Sequence, residues 1–240
     1  MENSLITLSL IIPTYNEEKN IVELIKKTNA ILDKASISHE FIIVDDGSKD
    51  QTRPGVKELK TKIDNINLIE RDNEKGLASA MVCGYNAARG TYLGSMDADL
   101  AHDPKYLPNM LSMLTGGAYD FVIGSRYLPE SKFFGKPFLN KMASLVGQKL
   151  VKVILGIKVG DTSNNYRIFS KSLWNDIKST LHPSGNIMLT EIVYRAEQCG
   201  YRFSELPIVY NERIHGKSKL NIWKETARFF SNIIKIKFGK

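Results

Sequence analysis

Short apolar runs alternate with longer amphipathic stretches through the first half of the chain. The apolar runs predict five buried strands, at Leu5–Ile12, Phe41–Val44, Ile66–Ile69, Thr91–Met96 and Phe121–Ile123. Apolar residues at helical spacing predict four helices, at Glu17–Lys34 with Asn16 as its N-cap, Gln51–Lys62, Lys75–Gly90 and Asp103–Leu114. Because the connections are short, this alternation predicts an α/β fold: a doubly wound, Rossmann-like, mostly parallel sheet flanked by helices.

The pattern becomes less regular after residue 125. We predict an exposed loop at Pro129–Pro137, helices at Leu139–Leu155 and Leu189–Gly200, a short strand at Tyr166–Phe169, an edge strand at Phe203–Tyr210, a basic loop at Arg213–Lys219 and an amphipathic helix at Asn221–Phe238. No repeat and no low-complexity linker separates these segments. We therefore expect a single domain made of two halves, residues 1–125 and 126–220, followed by a C-terminal helical extension, residues 221–240.

The polar segments of the first half stand directly after its predicted strands. They are Pro13–Glu17, Asp45–Ser48, Asp97–Asp99 and Ser125–Arg126. In open α/β sheets, ligands bind beyond the carboxyl ends of the strands. The sequence therefore predicts a ligand site at that edge of the sheet, which we call the rim.

Asp97 and Asp99 are the candidate metal ligands of the rim. Residues at positions i and i+2 of an extended segment point the same way, so both carboxylates can face one point at the end of the fourth strand. Hard oxygen ligands of this kind suit Mg²⁺ or Mn²⁺, which usually bind through one or two carboxylates plus substrate phosphates. The alternative is an acidic turn that caps the next helix before Pro104.

Charge is divided unevenly along the chain, whose net charge is +7. Residues 1–125 carry 13 basic and 18 acidic side chains, a net charge of −5, whereas residues 126–240 carry 20 and 8, a net charge of +12. A basic half fits nucleic acid, an anionic membrane surface or a phosphorylated substrate, although a solvated surface has the same composition. The basic residues form no platform with aromatic side chains, so we set nucleic acid aside.

Several other classes of protein are excluded or disfavoured. No G-x-G-x-x-G follows a strand and no G-x-x-x-x-G-K-[ST] occurs, which argues against a dehydrogenase and a P-loop hydrolase. No secretory signal is visible, and no apolar run approaches the roughly 18 residues that span a bilayer. Cys83 and Cys199 show no pairing pattern and are predicted to be reduced, packed thiols. These features predict a cytoplasmic protein.

The ordered motifs resemble the inverting GT-A glycosyltransferases of family 2, and within them the dolichol- or polyprenyl-phosphate mannosyltransferase group. The matching segments are IIPTYNE at 11–17, IIVDDGS at 42–48, KGLASA at 75–80, MDADLAHDP at 96–104, VIGSRY at 122–127, NYRIFSK at 165–171, GYRFSELPI at 200–208 and ERIHGKSKL at 212–220. The resemblance covers almost the whole chain. It implies a GT-A-type fold, with a sugar-nucleotide-binding first half and an acceptor-side second half.

The resemblance also implies roles for individual residues. Those that would contact the nucleoside are Pro13, Tyr15, Glu17, Ile43, Asp45 and, through its backbone, Ala98. Asp97 and Asp99 would hold Mg²⁺ or Mn²⁺ on the donor diphosphate, and the cations that would neutralise that diphosphate are Arg126, Arg213 and Lys219. The catalytic set would be Asp99, Arg126 and Glu191.

This chain departs from the family pattern at two positions. Ala101 stands where relatives often carry Gln or Ser, so we expect water or another residue to complete the metal site and metal binding to be weaker. His102 beside it is more typical of a surface or capping residue than of a ligand. Val146 stands where relatives often carry an arginine, which weakens the expected contact with a lipid phosphate.

The implied activity is transfer of a hexose to a polyprenyl phosphate or another anionic lipid. The expected donor is GDP-mannose, because the segment R-x-x-G-x-S-K at 213–219 resembles that of the mannosyltransferase group. The alternatives are a family 2 transferase acting on a glycan or glycolipid hydroxyl, and a non-catalytic sugar-nucleotide-binding subunit. A hydroxyl acceptor would need a general base, for which Glu191 is the candidate, whereas a lipid phosphate is already ionised. Glu191 fits equally well as a buried acid that orients a basic partner.

The predicted C-terminal helix allows two interpretations. Trp223, Ala227, Phe230 and Ile234 form an apolar stripe, with lysine and arginine opposite. The helix could lie on an anionic membrane, which would place the protein peripherally on the cytoplasmic membrane face, or it could pack on the sheet or on a partner subunit. Access to a lipid acceptor would then be peripheral or through a membrane-protein partner.

Overall fold

The computed structural model describes residues 6–134, 138–182, 185, 187–211 and 232–238. The strands are β1 Leu8–Thr14, β2 His39–Asp45, β3 Ile66–Glu70, β4 Tyr92–Ser95, β5 Phe121–Ser125, β6 Lys132–Phe133, β7 Arg167–Ser170, β8 Phe203–Pro207 and β9 Val209–Tyr210. The helices are α1 Ile21–Lys34, α2 Thr52–Lys60, α3 Leu77–Ala87, α4 Leu107–Thr115, α5 Phe138–Leu155, α6 Lys171–Ile177 and α7 Ile187–Gln198, with 3-10 turns at Pro104–Tyr106 and Lys178–Thr180. Residues 232–238 are helical as well.

Seven strands form one mixed sheet in the order β3-β2-β1-β4-β7-β5-β8. β1 pairs in parallel with β2 and β4, β2 with β3, and β5 with β8, whereas β7 runs antiparallel between β4 and β5. The predicted fold, a mostly parallel sheet flanked by helices, is confirmed. Because β7 is reversed, the loop that precedes it reaches the rim, where the parallel strands end.

Two apolar clusters cover the two faces of the sheet. Along β2 every residue is buried, so alternate side chains enter opposite clusters: Ile42 and Val44 enter one, Phe41 and Ile43 the other. α1 contributes Ile21, Leu24, Ile25 and Leu32 to the second cluster, which also receives α4. Burial on both faces explains why the strands read as continuous apolar runs rather than as an alternating pattern.

Close backbone packing requires glycine at Gly124, the fourth residue of β5. A Cβ atom at this position would lie 2.9 Å from Cδ1 of Tyr166 and 3.1 Å from Cγ2 of Ile208. These contacts are closer than packed carbon atoms tolerate without movement. Glycine here lets the chain leading into β7 approach the end of β5, directly beside the rim.

Several sequence predictions need correction. The first helix begins at Ile21 with Asn20 as its N-cap, because Asn16 takes a left-handed turn with φ 58° and its side chain instead accepts a hydrogen bond from the Lys49 amide. The predicted strand Phe203–Tyr210 is divided at Pro207: β8 ends there at the sheet edge, and β9 pairs with β6 in a second, two-stranded sheet. Cys199 is exposed rather than packed.

The predicted C-terminal helix Asn221–Phe238 lies mostly outside the described residues. Within 232–238, Ile233 and Ile236 are buried against the core, and Lys237 Nζ lies 3.5 Å from the Leu155 carbonyl at the end of α5. Among the helices of the described residues, none combines the length and apolar character that crossing a bilayer requires.

Candidate functional site

The turn after β2 is held by the carboxylate of Asp45, which is fully buried. It accepts hydrogen bonds from the Thr14 hydroxyl, the Ser48 amide and hydroxyl, and Arg53 Nε. Burial would raise the pKa of Asp45, but the bonds from Ser48, Arg53 and Thr14 outweigh it and hold the pKa below its usual value. The carboxylate thus joins the ends of β1 and β2 to α2. A contact of Asp45 with a nucleoside stays a prediction.

The second acid of the pair, Asp46, holds the end of β3 and the start of α3. Its Oδ1 lies 2.8 Å from Arg71 Nε, and its Oδ2 accepts a 2.8 Å bond from the Gly76 amide. Gly47, which follows, has φ 79°, a conformation that glycine adopts without strain. The three loops after β1, β2 and β3 are therefore bonded to one another before any ligand arrives.

The predicted nucleoside contacts occupy different depths. Tyr15 is 46% exposed at the rim and Pro13 and Glu17 are half-buried. The Glu17 carboxylate accepts a 2.7 Å bond from Asn20 Nδ2. Ile43, by contrast, is packed in the core below the rim rather than on its surface. The structure therefore brings Tyr15 to the open edge, whereas the side chain of Ile43 is not displayed there.

Asp97 and Asp99 lie on one tight loop after β4, which we call the acid loop (residues 96–103). The Asp97 side chain is 31% exposed, whereas Ala98, Asp99 and Ala101 are buried. Asp99 Oδ1 accepts a 3.1 Å bond from the Ala101 amide, and Leu100 between them has φ 63°. A left-handed leucine is strained, and such strain persists only where the surrounding contacts fix the backbone.

The sequence predicts that His102 is a surface or capping residue, but its ring is buried. Its role in the acid loop was therefore missed. Asn164 Nδ2 donates to the Gly124 carbonyl, so Asn164 Oδ1 faces His102 Nε2, 2.9 Å away, and Nε2 must carry the proton. Nδ1 is then an acceptor, and it receives a 3.2 Å bond from the Asp97 amide. Burial lowers the pKa of His102 despite the nearby acids, which keeps this neutral form.

The ring of His102 is also fixed by its neighbours. It stacks on Tyr166 with centroids 4.9 Å apart and meets the edge of Tyr210 at 5.4 Å. Since the Nδ1 lone pair already receives the Asp97 amide, His102 positions the acid loop and is not a metal ligand. The feature of the sequence that could have indicated this contact is the short separation of Asp97 and His102. They are five residues apart, so one tight loop can bring them together.

The residues of the acid loop fit a divalent cation of the Mg²⁺ or Mn²⁺ class. Asn165 Nδ2 donates a 3.0 Å bond to Asp97 Oδ1, and no described residue donates to the buried Oδ1 of Asn165. Two carboxylates beside an unused amide oxygen form a hard, oxygen-only donor set, which substrate phosphates and water would complete. The described residues contain no group of three or more His, Cys, Asp or Glu side chains that could bind a metal by themselves.

Arg126 follows β5 and, of the three predicted diphosphate-binding cations, is the one that lies within the described residues. Its Nε and Nη2 each lie 2.8 Å from one oxygen of the buried Asp161, and Nη2 donates to Ser163 Oγ at 3.0 Å. Burial would lower the pKa of Arg126, but the charge of Asp161 outweighs it and raises the pKa. The guanidinium also lies 5.4 Å from the Tyr127 ring centre and 5.5 Å from that of Tyr210.

The loop 160–166, which carries Asp161, is fixed from three sides. Glu205 accepts hydrogen bonds from the amides of Gly160 and Asp161. Gln148 of α5 accepts a 2.9 Å hydrogen bond from the Thr162 hydroxyl. From below, the buried guanidinium of Arg167 donates to the backbone carbonyls of Thr162, Asn164 and Leu189. Burial lowers the pKa of Arg167 to about 10, so the group stays charged at neutral pH.

Glu191, the predicted catalytic base, is fully buried in α7. Its Oε2 accepts the His182 amide at 3.0 Å, and its Oε1 lies 3.1 Å from His182 Nδ1 and 3.4 Å from Arg195 Nη2. A general base must lie within hydrogen-bond reach of the acceptor. The observed arrangement is that of a buried acid that orients basic partners, and it does not favour the catalytic role.

The predicted cations Arg213 and Lys219 lie outside the described residues. The segment that leads to them is described: the Asn211 amide donates a 3.2 Å bond to the Ala101 carbonyl, and Tyr210 forms a bridge with His102. The chain thus enters the predicted basic loop from a point directly beside the acid loop.

An open apolar cleft of about 410 Å³ is lined by Tyr127, the residue after Arg126, and by Gln148, which shares Ser163 Oγ as a hydrogen-bond acceptor with Arg126. It is lined by one end of the loop 160–166 and by one side of α5, with the residues Tyr127, Met142, Leu145, Val146, Gln148, Lys149, Lys152 and Gly160. Its walls combine aliphatic side chains with two lysines, a composition suited to an apolar group that bears a negative charge.

The fold and the rim define a GT-A-like protein, in which an acid loop and a buried arginine face the carboxyl ends of a mostly parallel sheet. The same fold occurs in glucosyl-3-phosphoglycerate synthase from Mycobacterium tuberculosis, solved with Mn²⁺, uridine diphosphate and glucosyl-3-phosphoglycerate, with a TM-score of 0.70 and 19% identity over 96% of this chain and 80% of that one. Another structure of that enzyme contains Mg²⁺ and uridine diphosphate.

Sequence comparison defines the family. The Glycosyl transferase family 2 profile matches residues 9–178, and the chain belongs to this family. It is 34% identical over 217 residues to a dolichol-phosphate mannosyltransferase from Pyrococcus furiosus, covering 89% of this chain and 59% of that protein. It is 30% identical to a polyprenol monophosphomannose synthase from Mycolicibacterium smegmatis, covering 88% and 80%. The chain therefore spans little more than half of the archaeal relative.

Proposed function

We propose that this protein transfers a mannosyl group from GDP-mannose to a polyprenyl phosphate, with inversion at the anomeric carbon. The observation that carries the proposal is the position of Arg126, beside an apolar cleft and in contact with Tyr210, which in turn touches His102 of the acid loop. A phosphate with an apolar tail matches this neighbourhood better than a free saccharide does. The names of the two sequence relatives support a mannosyl group and a polyprenyl-type phosphate, whereas the guanosine of the donor rests on the segment at 213–219.

In the proposed reaction an oxygen of the lipid phosphate forms a bond to C1 of the sugar while the bond from C1 to the donor diphosphate breaks. The phosphate oxygen is already ionised at neutral pH, so no proton has to be removed. The burial of Glu191, with both its oxygens occupied, supports an acceptor of this kind over a glycan or glycolipid hydroxyl.

The residues of the rim have separate roles in the proposed reaction. Tyr15 and Glu17, with the backbone of Ala98, would hold the nucleoside, and Asp45 would support them by fixing the turn after β2. Asp97 and Asp99 would hold Mg²⁺ or Mn²⁺ on the donor diphosphate. The metal, when bound, would neutralise the charge of the leaving diphosphate. Positive charge around the donor diphosphate and the acceptor phosphate would come from Arg126, Arg213 and Lys219. The planar guanidinium of an arginine can donate two parallel hydrogen bonds to the oxygens of one phosphate.

The experiment that tests the proposal uses labelled nucleotide sugars, Mn²⁺ and polyprenyl phosphate in detergent. We expect label from GDP-mannose to enter the organic phase, and Asp97→Asn to abolish the transfer. Tyr119→Ser, an exposed change at the start of β5 far from the rim, is the matched control and should leave the rate unchanged. Transfer from another donor would revise the base or the sugar, whereas label found only in a saccharide would contradict the lipid acceptor.

A further inference from the structure

The outer face of α5 is a continuous apolar stripe that no described residue covers. Met142 is 43% exposed, Val146 61%, Leu150 43% and Val153 78%. These four residues follow one another at helical spacing, so they lie on one face over about 17 Å at 1.5 Å per residue. Single exposed apolar residues are ordinary, but a row of four on one helix marks an interaction surface.

The segment of the chain that contains this stripe is basic. Between Glu130 and Asp161 the chain has 30 residues with six lysines and no acidic side chain. Lys149 is exposed beside Val146 and Leu150, and Lys152 is half-buried beside the cleft. Each lysine close to an anionic bilayer surface adds attraction, and lysines flanking an apolar face are typical of helices that lie in the membrane interface.

The inner face of the same helix is bonded to the rim. Gln148 Nε2 donates to Ser163 Oγ at 2.8 Å, and Ser163 Oγ also accepts from Arg126 Nη2 at 3.0 Å. Val151 and Leu155 are buried in the core cluster below. A bilayer in contact with the outer face of α5 would therefore be separated from Arg126 only by the thickness of this helix and by the cleft.

We propose that α5 is a membrane-docking helix, which lies on an anionic bilayer through Met142, Val146, Leu150 and Val153 and opens the cleft beside Arg126 toward the lipid headgroups. Docking is independent of the acceptor chemistry and goes beyond the proposed transfer reaction. A second copy of the chain is a poorer occupant of the stripe, because two such faces would bring their lysines together, whereas an anionic lipid surface neutralises them.

Co-sedimentation with phosphatidylcholine vesicles, with and without phosphatidylglycerol, tests the proposal. We expect the protein to bind the vesicles that contain phosphatidylglycerol, and salt to weaken the binding. The double variant Val146→Ser with Val153→Ser should bind at least about tenfold more weakly, since both side chains lose apolar contact with the bilayer. Lys149→Gln should weaken binding about fivefold.

Two control variants match these changes elsewhere on the surface. Tyr119→Ser removes an exposed apolar side chain and Lys26→Gln an exposed charge, both away from α5, and neither should change vesicle binding. Val146 and Val153 are 61% and 78% exposed, so their replacement should leave thermal unfolding unchanged, and any variant that unfolds would be recognised by this measurement. Equal vesicle binding by wild type and by the Val146→Ser, Val153→Ser protein would overturn the proposal.

Two further outcomes separate docking from the transfer reaction. A dimer in light scattering that the double variant dissociates, together with no vesicle binding, would assign the stripe to a second copy and overturn the proposal. Transfer to polyprenyl phosphate in detergent without vesicle binding would overturn docking and leave the proposed function intact. Vesicle binding that requires the stripe, without transfer, would support docking and contradict the proposed function.

Discussion

The Asp97 amide donates a hydrogen bond to Nδ1 of His102, five residues later, at 3.2 Å. This bond closes the acid loop on itself, and Asn164 fixes the proton on the opposite ring nitrogen. His102 therefore holds the backbone from which Asp97 and Asp99 project. Partners that orient ligand-bearing segments typically affect metal affinity by 10- to 100-fold, roughly, when they are removed.

His102→Phe should reduce Mn²⁺-dependent binding of a nucleoside diphosphate by about 10- to 100-fold. Phenylalanine keeps the stacking on Tyr166 but cannot accept the Asp97 amide, so the loop loses its internal bond. Calorimetric titration with and without Mn²⁺ measures the effect. His39→Phe, which removes the hydrogen bonds of another buried imidazole at the start of β2, away from the rim, is the control. Wild-type Mn²⁺ dependence in His102→Phe would show that the ring does not position the loop.

Asp45→Asn should destabilise the protein at neutral pH by about 1–3 kcal/mol, because a charged acceptor of several bonds is lost. The folded-state pKa of Asp45 is lowered, so its stabilising contribution is present above the unfolded pKa of about 4 and is lost as the pH falls through the folded value. Urea unfolding at pH 7 and near pH 3 should therefore show a difference from wild type that shrinks in acid.

The matched control for that titration is Asp64→Asn, which changes an exposed acid in the turn before β3. It should alter stability little at either pH. A gap between wild type and Asp45→Asn that persists unchanged in acid would indicate that shape, rather than charge, explains the effect.

Glu191→Gln should lower the melting temperature while kcat falls by less than about tenfold, because the carboxylate holds His182 and Arg195 instead of a substrate proton. Steady-state kinetics and thermal unfolding on the same preparation measure both quantities. Loss of turnover by about 10³-fold or more, with intact stability and donor binding, would restore Glu191 as the general base and favour a hydroxyl acceptor.

Arg126→Lys should reduce kcat/KM for the lipid acceptor by at least about tenfold, since lysine cannot reproduce the fork that now engages Asp161 and Ser163. Binding of the free nucleoside diphosphate should change less. Arg202→Lys is a suitable comparison, because Arg202 forms the same kind of pair with Asp120 at the opposite edge of the sheet. Equal effects of the two substitutions would argue against a special role for Arg126.

The sequence was sufficient to predict the parallel part of the sheet and its rim, because buried strands and amphipathic helices have distinct periods. Asp97, Asp99 and Arg126 were found for the same reason: each follows a strand end. The short strand at Tyr166–Phe169 was predicted, and it is β7, but its reversed direction and its place between β4 and β5 were not, since these neighbours are distant in sequence. Asp161 and Asn165, which the loop before that strand brings to the rim, were therefore given no role in the site.

The burial or exposure of particular side chains could not be predicted from the sequence either. Periodicity placed His102 in a turn and so at the surface, whereas contacts from Tyr166 and Tyr210, more than 60 residues away, enclose it. Conversely, the spacing of α5 predicted an amphipathic helix, but only the structure shows that Val146 and Val153 point away from the core.

The most direct test of the proposed reaction compares two acceptors of the same chain length, a polyprenyl phosphate and the corresponding polyprenol, with labelled GDP-mannose and Mn²⁺ in detergent. We expect labelled lipid only with the phosphate, at a rate that Asp99→Asn abolishes. Equal or faster labelling of the polyprenol, or labelling of the phosphate that survives in Asp99→Asn, would contradict it.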